Sequence, residues 1–108
     1  QHTPTFNATD TYVYFYNLGN KATLTLTNNV TDIHFRFPAV SGNFICVLLQ
    51  DGTGGRTISN FKTQDASGNA GDDGGGTPGS IRWAGGTEPT NTETANNEIA
   101  YGTYSYNF

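Results

Sequence analysis

From Ala22 to Thr27 the chain reads Ala-Thr-Leu-Thr-Leu-Thr, and from Val30 to Phe37 it sets Ile33, Phe35 and Phe37 against Asp32, His34 and Arg36. This alternation restricts the fold more than any other feature. Successive side chains of an extended strand point to opposite faces, so each run makes a strip that is apolar on one side and wet on the other. The same spacing would scatter leucines and threonines around every side of a helix. Tyr12-Val-Tyr-Phe-Tyr16 alternates in two apolar sets, and Phe44-Ile-Cys-Val-Leu-Leu49 is apolar on both faces, which predicts a central strand. Asn28-Asn29, whose side chains tolerate left-handed backbone, predicts a hairpin between the two alternating runs. Composition agrees: 17 Thr favour strands, while 12 Asn and 14 Gly favour turns.

Further along, Arg56 to Phe61 reads as a return strand, and residues 64–80 hold no large apolar side chain, which predicts a long exposed loop. Order resumes at Ile81-Arg-Trp83, and after a turn-rich stretch a closing strand runs from Glu98 to Phe108. There Ile99 and Tyr101 share one parity and Tyr104, Tyr106 and Phe108 the other; a bulge at Gly102 would bring all five to one side. With about seven short strands and no helical periodicity, the expectation is an all-β chain: a single antiparallel β-sandwich or jelly-roll-like domain over residues 12–108. Residues 1–11, largely polar, are expected as an N-terminal tail. A length of 108 residues suits one core.

The formal charge is −4, and the five Lys and Arg stand singly at Lys21, Arg36, Arg56, Lys62 and Arg82, so there is no basic stripe for nucleic acid. No apolar run reaches the roughly 18 to 20 residues of a helical membrane span, and no membrane partner is expected. Cys46, alone of its kind and set within an apolar run, reads as a small buried hydrophobe. Gln at the first position rather than Met suggests a chain processed, truncated or read from something longer.

Residues 49–58, LQDGTGGRTI, look at first like a phosphate-binding loop. Such a loop needs a helix N-terminus behind it and a Lys with a hydroxyl at fixed offsets. Here strands flank the glycines, so the expectation is a tight hairpin turn in which glycine supplies positive φ and Asp51 pairs with Arg56 across it. An anion or ligand site at Arg56 is the lesser alternative.

Thr23-Leu-Thr-Leu26, then Gln50-Asp-Gly-Thr-Gly-Gly-Arg-Thr-Ile58, then Ile81-Arg-Trp-Ala-Gly-Gly-Thr-Glu-Pro-Thr90, with Thr94-Ala95 and a closing aromatic strand, resemble a β module of tailed-bacteriophage virion surface proteins. The pattern there is a QDGTGGRT turn followed by a W-x-GGT-x-PT segment, and the resemblance covers most of residues 23–106. It differs in what looks like an insertion at residues 65–79 and in Ala84, where a Pro is common. The resemblance implies a place on a virion surface, in a tail fibre or as a capsid decoration.

His2 lies in the tail and His34 on a wet strand face, and neither has the spaced companions of a zinc site. No catalytic residue, metal or cofactor is expected, and the chain does not read as an enzyme. Asp65 to Asp73 resembles half a calcium loop, but Ala70 and Gly76 stand where that loop needs Gly and Glu. Tyr12, Tyr14 and Tyr16 read as core or subunit interface first and as a sugar-stacking platform second. Trp83 reads as a core anchor. The expected function is a non-enzymatic structural protein of a phage-like virion, a capsid decoration or fibre subunit acting in assembly and attachment. Its partners would be copies of itself, with a trimer as the best guess, other virion proteins, and a host surface glycan as a further option. The alternatives are a receptor or carbohydrate-binding module, or a subunit of an extracellular cell-surface filament.

Overall fold

The computed structural model describes residues 1–68, Gly86 and residues 99–106, the last as backbone. Its elements are β1 (Asp10–Tyr14), α1 (Phe15–Leu18), β2 (Lys21–Leu26), β3 (Val30–Arg36), β4 (Gly42–Gln50), β5 (Ile58–Gln64) and β6 (Ile99–Tyr106). The all-β expectation holds: among the described residues the α-helix is limited to a four-residue turn that follows β1.

The described strands form two three-stranded sheets, ordered β1-β3-β5 and β2-β4-β6. Consecutive strands therefore alternate between sheets, and β1 with β3, β3 with β5 and β2 with β4 all pair in parallel. Among the described strands, only the β4–β6 pairing is antiparallel. The antiparallel architecture expected from the sequence is thus corrected for most of the chain. β4 does lie at the centre of its sheet, as its two apolar faces predicted.

Neither predicted hairpin forms, and the hydrogen bonds give the reason. Asn29 Oδ1 accepts from the Thr57 N–H at 3.0 Å, and the Val30 N–H donates to the Thr57 carbonyl at 2.9 Å. The Asn-Asn dipeptide is thereby bonded forward to the entry of β5. It turns a corner into the other sheet instead of folding β3 back on β2. An alternating strip with one wet face serves a parallel neighbour as well as an antiparallel one, so periodicity alone could not separate the two.

Tyr12 to Tyr16 is only partly a strand. β1 stops at Tyr14, and Phe15 turns into the core at the start of the short helix, which Gly19 ends at φ +97. The inward positions of both sheets feed one core cluster: Val13, Ile33 and Phe35 from one, Ala22, Leu24, Leu26, Phe44, Cys46 and Leu48 from the other. At one end the rings of Phe15, Phe37 and Phe44 meet with centroids 5.1 to 5.7 Å apart. These tilted and offset contacts add to the area that the rings bury.

The segment expected as an N-terminal tail is tied to the body. His2 bridges Ala22 in parallel, Pro4 is buried and Phe6 packs on the core. The carbonyls of Ala8 and Thr9 accept from the Thr31 and Asp32 N–H groups at 2.9 and 3.0 Å. Thr11, fully buried at 0% exposure, donates its hydroxyl to the Asn7 carbonyl at 2.8 Å and accepts from the Asn7 N–H at 2.9 Å. Polar residues can line a core when each finds a partner locally.

The bulge expected at Gly102 does not occur. The β4–β6 register runs unbroken from Gly42↔Tyr106 to Leu49↔Ile99, with Gly102 opposite Cys46. Cys46 itself is buried, and desolvation pushes its thiol up to about 12. Since the thiolate is the reactive form, a thiol reagent at pH 8 should label the native chain at least tenfold more slowly than the chain in denaturant. Equal rates would place Cys46 outside the core.

Candidate functional site

The parallel register of β1, β3 and β5 stacks like positions into rows. On the outer face these rows are Asp10, Asp32 and Asn60, then Tyr12, His34 and Lys62, then Tyr14, Arg36 and Gln64. Two of the three tyrosines singled out from the sequence lie in them, and Tyr16 follows one turn beyond. All three are half-buried and outside the core cluster.

Their rings stand against one another. Tyr12 and Tyr14 lie near-parallel with centroids 6.1 Å apart, and Tyr14 meets Tyr16 edge-on at 5.7 Å. His34 stacks on Tyr12 at 4.5 Å and 13°, and the Arg36 guanidinium sits 4.0 Å from the centre of Tyr16. A guanidinium over an aromatic face gains roughly 0.5–2 kcal/mol, depending on its desolvation. Arg36 is held from the other side as well, donating through Nε and Nη2 to the Ala66 carbonyl at 3.2 and 2.7 Å. Residues 65–68, at the head of the expected exposed loop, are therefore fastened beside the tyrosines. Asp65 Oδ1 accepts from the Ser67 N–H at 2.9 Å, which turns the backbone there. Residues 69–80, including the rest of the calcium-like stretch, lie outside the described residues, as does Trp83.

The register also puts Asp10 directly opposite Asp32, a like-charge pair that is unfavourable by itself. The chain relieves it with its own groups. His34 Nε2 donates to Asp10 Oδ1 at 2.8 Å, Asn60 Nδ2 donates to Asp32 Oδ1 at 3.0 Å, and Lys62 Nζ lies 3.5 Å from Asp32 Oδ2. One ligand atom each of Asp10, Asp32 and His34 lies within 4.8 Å of the others, the donor set that a divalent cation would use. The same three residues make the hydrogen bonds and the ion pair just given, so the chain's own groups already face the two carboxylates.

Arg56 belongs to a different place, the corner between β4 and β5. It lies 2.9 Å from Asp51 Oδ2 through Nη2 and 3.2 Å from Oδ1 through Nε, the pairing expected from the sequence. Asp51 Oδ1 also accepts from the Thr53 and Gly54 N–H groups at 3.2 and 3.0 Å. The hydrogen bond from Arg56 is the largest cause holding the Asp51 carboxyl below its ordinary value. Buried Gln50 completes the corner: Oε1 accepts from the Arg56 N–H at 3.0 Å and Nε2 donates to the Arg56 carbonyl at 2.8 Å. Gly54 and Gly55, at φ +71 and +72, supply the left-handed backbone. The glycine motif is a self-capping corner whose polar groups are turned inward on each other.

The alternation of Tyr12, Tyr14 and Tyr16 was legible in the sequence; that Asp10, His34, Arg36 and Lys62 lie beside them was not. A signal was present in the three strand sequences Asp-Thr-Tyr-Val-Tyr, Asp-Ile-His-Phe-Arg and Asn-Phe-Lys-Thr-Gln, which keep one order of outward and inward residues from an initial Asp or Asn, with Thr11 and Thr63 taking inward places. With little identity between them, they do not register as a tandem repeat. Compared with protein-family models, with curated proteins and with solved structures, the chain gives no match.

Proposed function

We propose that this chain is a non-enzymatic structural subunit of a phage-like particle, a decoration or fibre protein at the virion surface, working in assembly and attachment. It meets its neighbours, further copies of itself first among them, through the outer face of β1-β3-β5. We read its architecture as a two-sheet sandwich wound by a coiling chain. The observation that carries the proposal is the packed row of Tyr12, Tyr14 and Tyr16 with His34 and Arg36. Tyr and Arg are the residues that dominate the energetics of protein interfaces, and side chains already held in one arrangement lose little entropy on docking. The resemblance in residues 49–58 supports the same reading: those residues close a corner on themselves, so the motif marks a fold and leaves recognition to other surfaces.

A carbohydrate-binding module is the second reading, kept in view because the tyrosines stand outside the core. It ranks lower because a sugar stacks on an open ring face, and His34 and Arg36 already cover faces of Tyr12 and Tyr16. The test is sedimentation of the native chain and Tyr14→Ser over a range of concentrations. A central interface tyrosine is worth about 2 kcal/mol or more, so the variant should need roughly thirtyfold higher concentration to assemble, with an unchanged β signal by circular dichroism. Identical assembly of the two proteins would overturn the proposal, and binding to a glycan array lost in Tyr14→Ser would put the second reading in its place.

A further inference from the structure

At the open side of β2, His2 makes a single parallel bridge. Its N–H donates to the Lys21 carbonyl at 2.9 Å, and its carbonyl accepts from the Thr23 N–H at 3.0 Å. The ring turns inward and meets Phe15 edge-on at 5.7 Å. Nδ1 lies 3.0 Å from the Leu18 carbonyl, which makes it the protonated nitrogen. Nε2 is sealed from solvent and has no hydrogen-bond partner among the described residues.

A neutral ring suits this place, since Nε2 is then a bare lone pair and costs only its own desolvation. A protonated ring does not, because a second N–H and a full charge would enter the same partnerless, apolar spot. Among the described residues, the elements packed around the ring bring nothing to stabilise that charge. α1 contributes the Leu18 carbonyl, already used, and the Phe15 ring; β2 contributes backbone groups of Lys21 and Thr23 that are already bonded to the His2 backbone; and the amino group of Gln1 is a further repulsion.

We propose that His2 is an acid-operated latch: a proton taken up at Nε2 frees the first residues of the chain from β2 and uncovers the Thr23 N–H and the Lys21 carbonyl. Release stops at Phe6, which packs on the core, and at Ala8 and Thr9, whose carbonyls are bonded to β3. The uncovered groups form a strand edge, the surface at which another chain can add in β pairing. This inference stands on the geometry around His2 and is independent of the proposed function.

The direction follows from linkage. Burial, the largest cause, lowers the ring's pKa in the latched state below the 6.5 of a free histidine. Above that value both states are neutral and the latch holds fully. As pH falls below it, the released state takes up its proton first and the latch weakens, by at most about tenfold per pH unit, until the latched ring also titrates.

The experiment is amide hydrogen exchange of Thr23, corrected for the intrinsic rate, at pH 7.5 and pH 5, with core amides of β3 as reference. In the native chain Thr23 protection should fall, by up to about thirtyfold, while the reference holds. His2→Phe, which keeps the contact with Phe15 and cannot titrate, should show no such fall; His34→Gln should behave like the native chain. Unchanged Thr23 protection in the native chain, an equal fall in His2→Phe, or loss of the effect in His34→Gln would each overturn the latch.

Discussion

Phe35→Ala is expected to cost about 3–5 kcal/mol, the range for removing a fully buried aromatic side chain. Phe35 is 0% exposed on the middle strand of the β1-β3-β5 sheet. It stacks on Phe61 at 5.9 Å and 9° and on Phe15 at 5.9 Å, so its loss opens a void between residues of β5 and of α1. Backbone hydrogen bonds hold β3 between two neighbours, which limits how far the surroundings can collapse into that void. With a total stability of roughly 5–15 kcal/mol for a domain of this kind, the variant should lose about a fifth or more of it. Urea unfolding followed by circular dichroism reads this as a lowered midpoint at constant slope. Phe35→Leu, which keeps much of the apolar volume, should lose less than half as much. A cost under about 1 kcal/mol for Phe35→Ala would mean that the core is not centred on this ring.

The second large effect is expected at Gln50. Its amide meets the Arg56 N–H and carbonyl together, taking the part that a paired strand would otherwise play. Gln50→Ala removes two hydrogen bonds at a partly buried site, and losing the partner of a buried group costs about 1–3 kcal/mol each. A loss of about 2–4 kcal/mol is the expected result, together with faster hydrogen exchange at the Arg56 amide. Gln50→Glu should not rescue, because it removes the donor to the Arg56 carbonyl and introduces a charge at a buried position. A variant as stable as the native chain would show that the corner is held by Asp51 alone.

What the sequence made legible were the local properties of each strand. The alternation from Val30 to Phe37 correctly separated buried Ile33, Phe35 and Phe37 from the wet face of Asp32, His34 and Arg36. Asp51 and Arg56 were readable as a pair because only a few residues part them, within reach of one turn. What could not be read was which strand lies beside which. Asn28-Asn29 fits a hairpin and a corner equally, and the choice is made by Thr57, remote in sequence. The outer-face site depends on that choice. Asp10 meets Asp32, and Tyr12 meets His34, only because β1 and β3 are parallel and in one sheet. The N-terminal segment was hidden for a related reason: polar Thr11 appears unfit for a core until its hydroxyl is seen bonded to Asn7.

The central claim is that this chain is a structural subunit whose copies meet through the outer face of the β1-β3-β5 sheet. Imaging the assembled chain by electron cryomicroscopy, at a resolution that separates strands, tests it most directly. Closed, point-symmetric assemblies are expected, with Tyr12, Tyr14 and Tyr16 at the contact between copies. Particles that stay single at high concentration, or assemblies joined through the outer face of β2-β4-β6 with the tyrosines facing solvent, would contradict it.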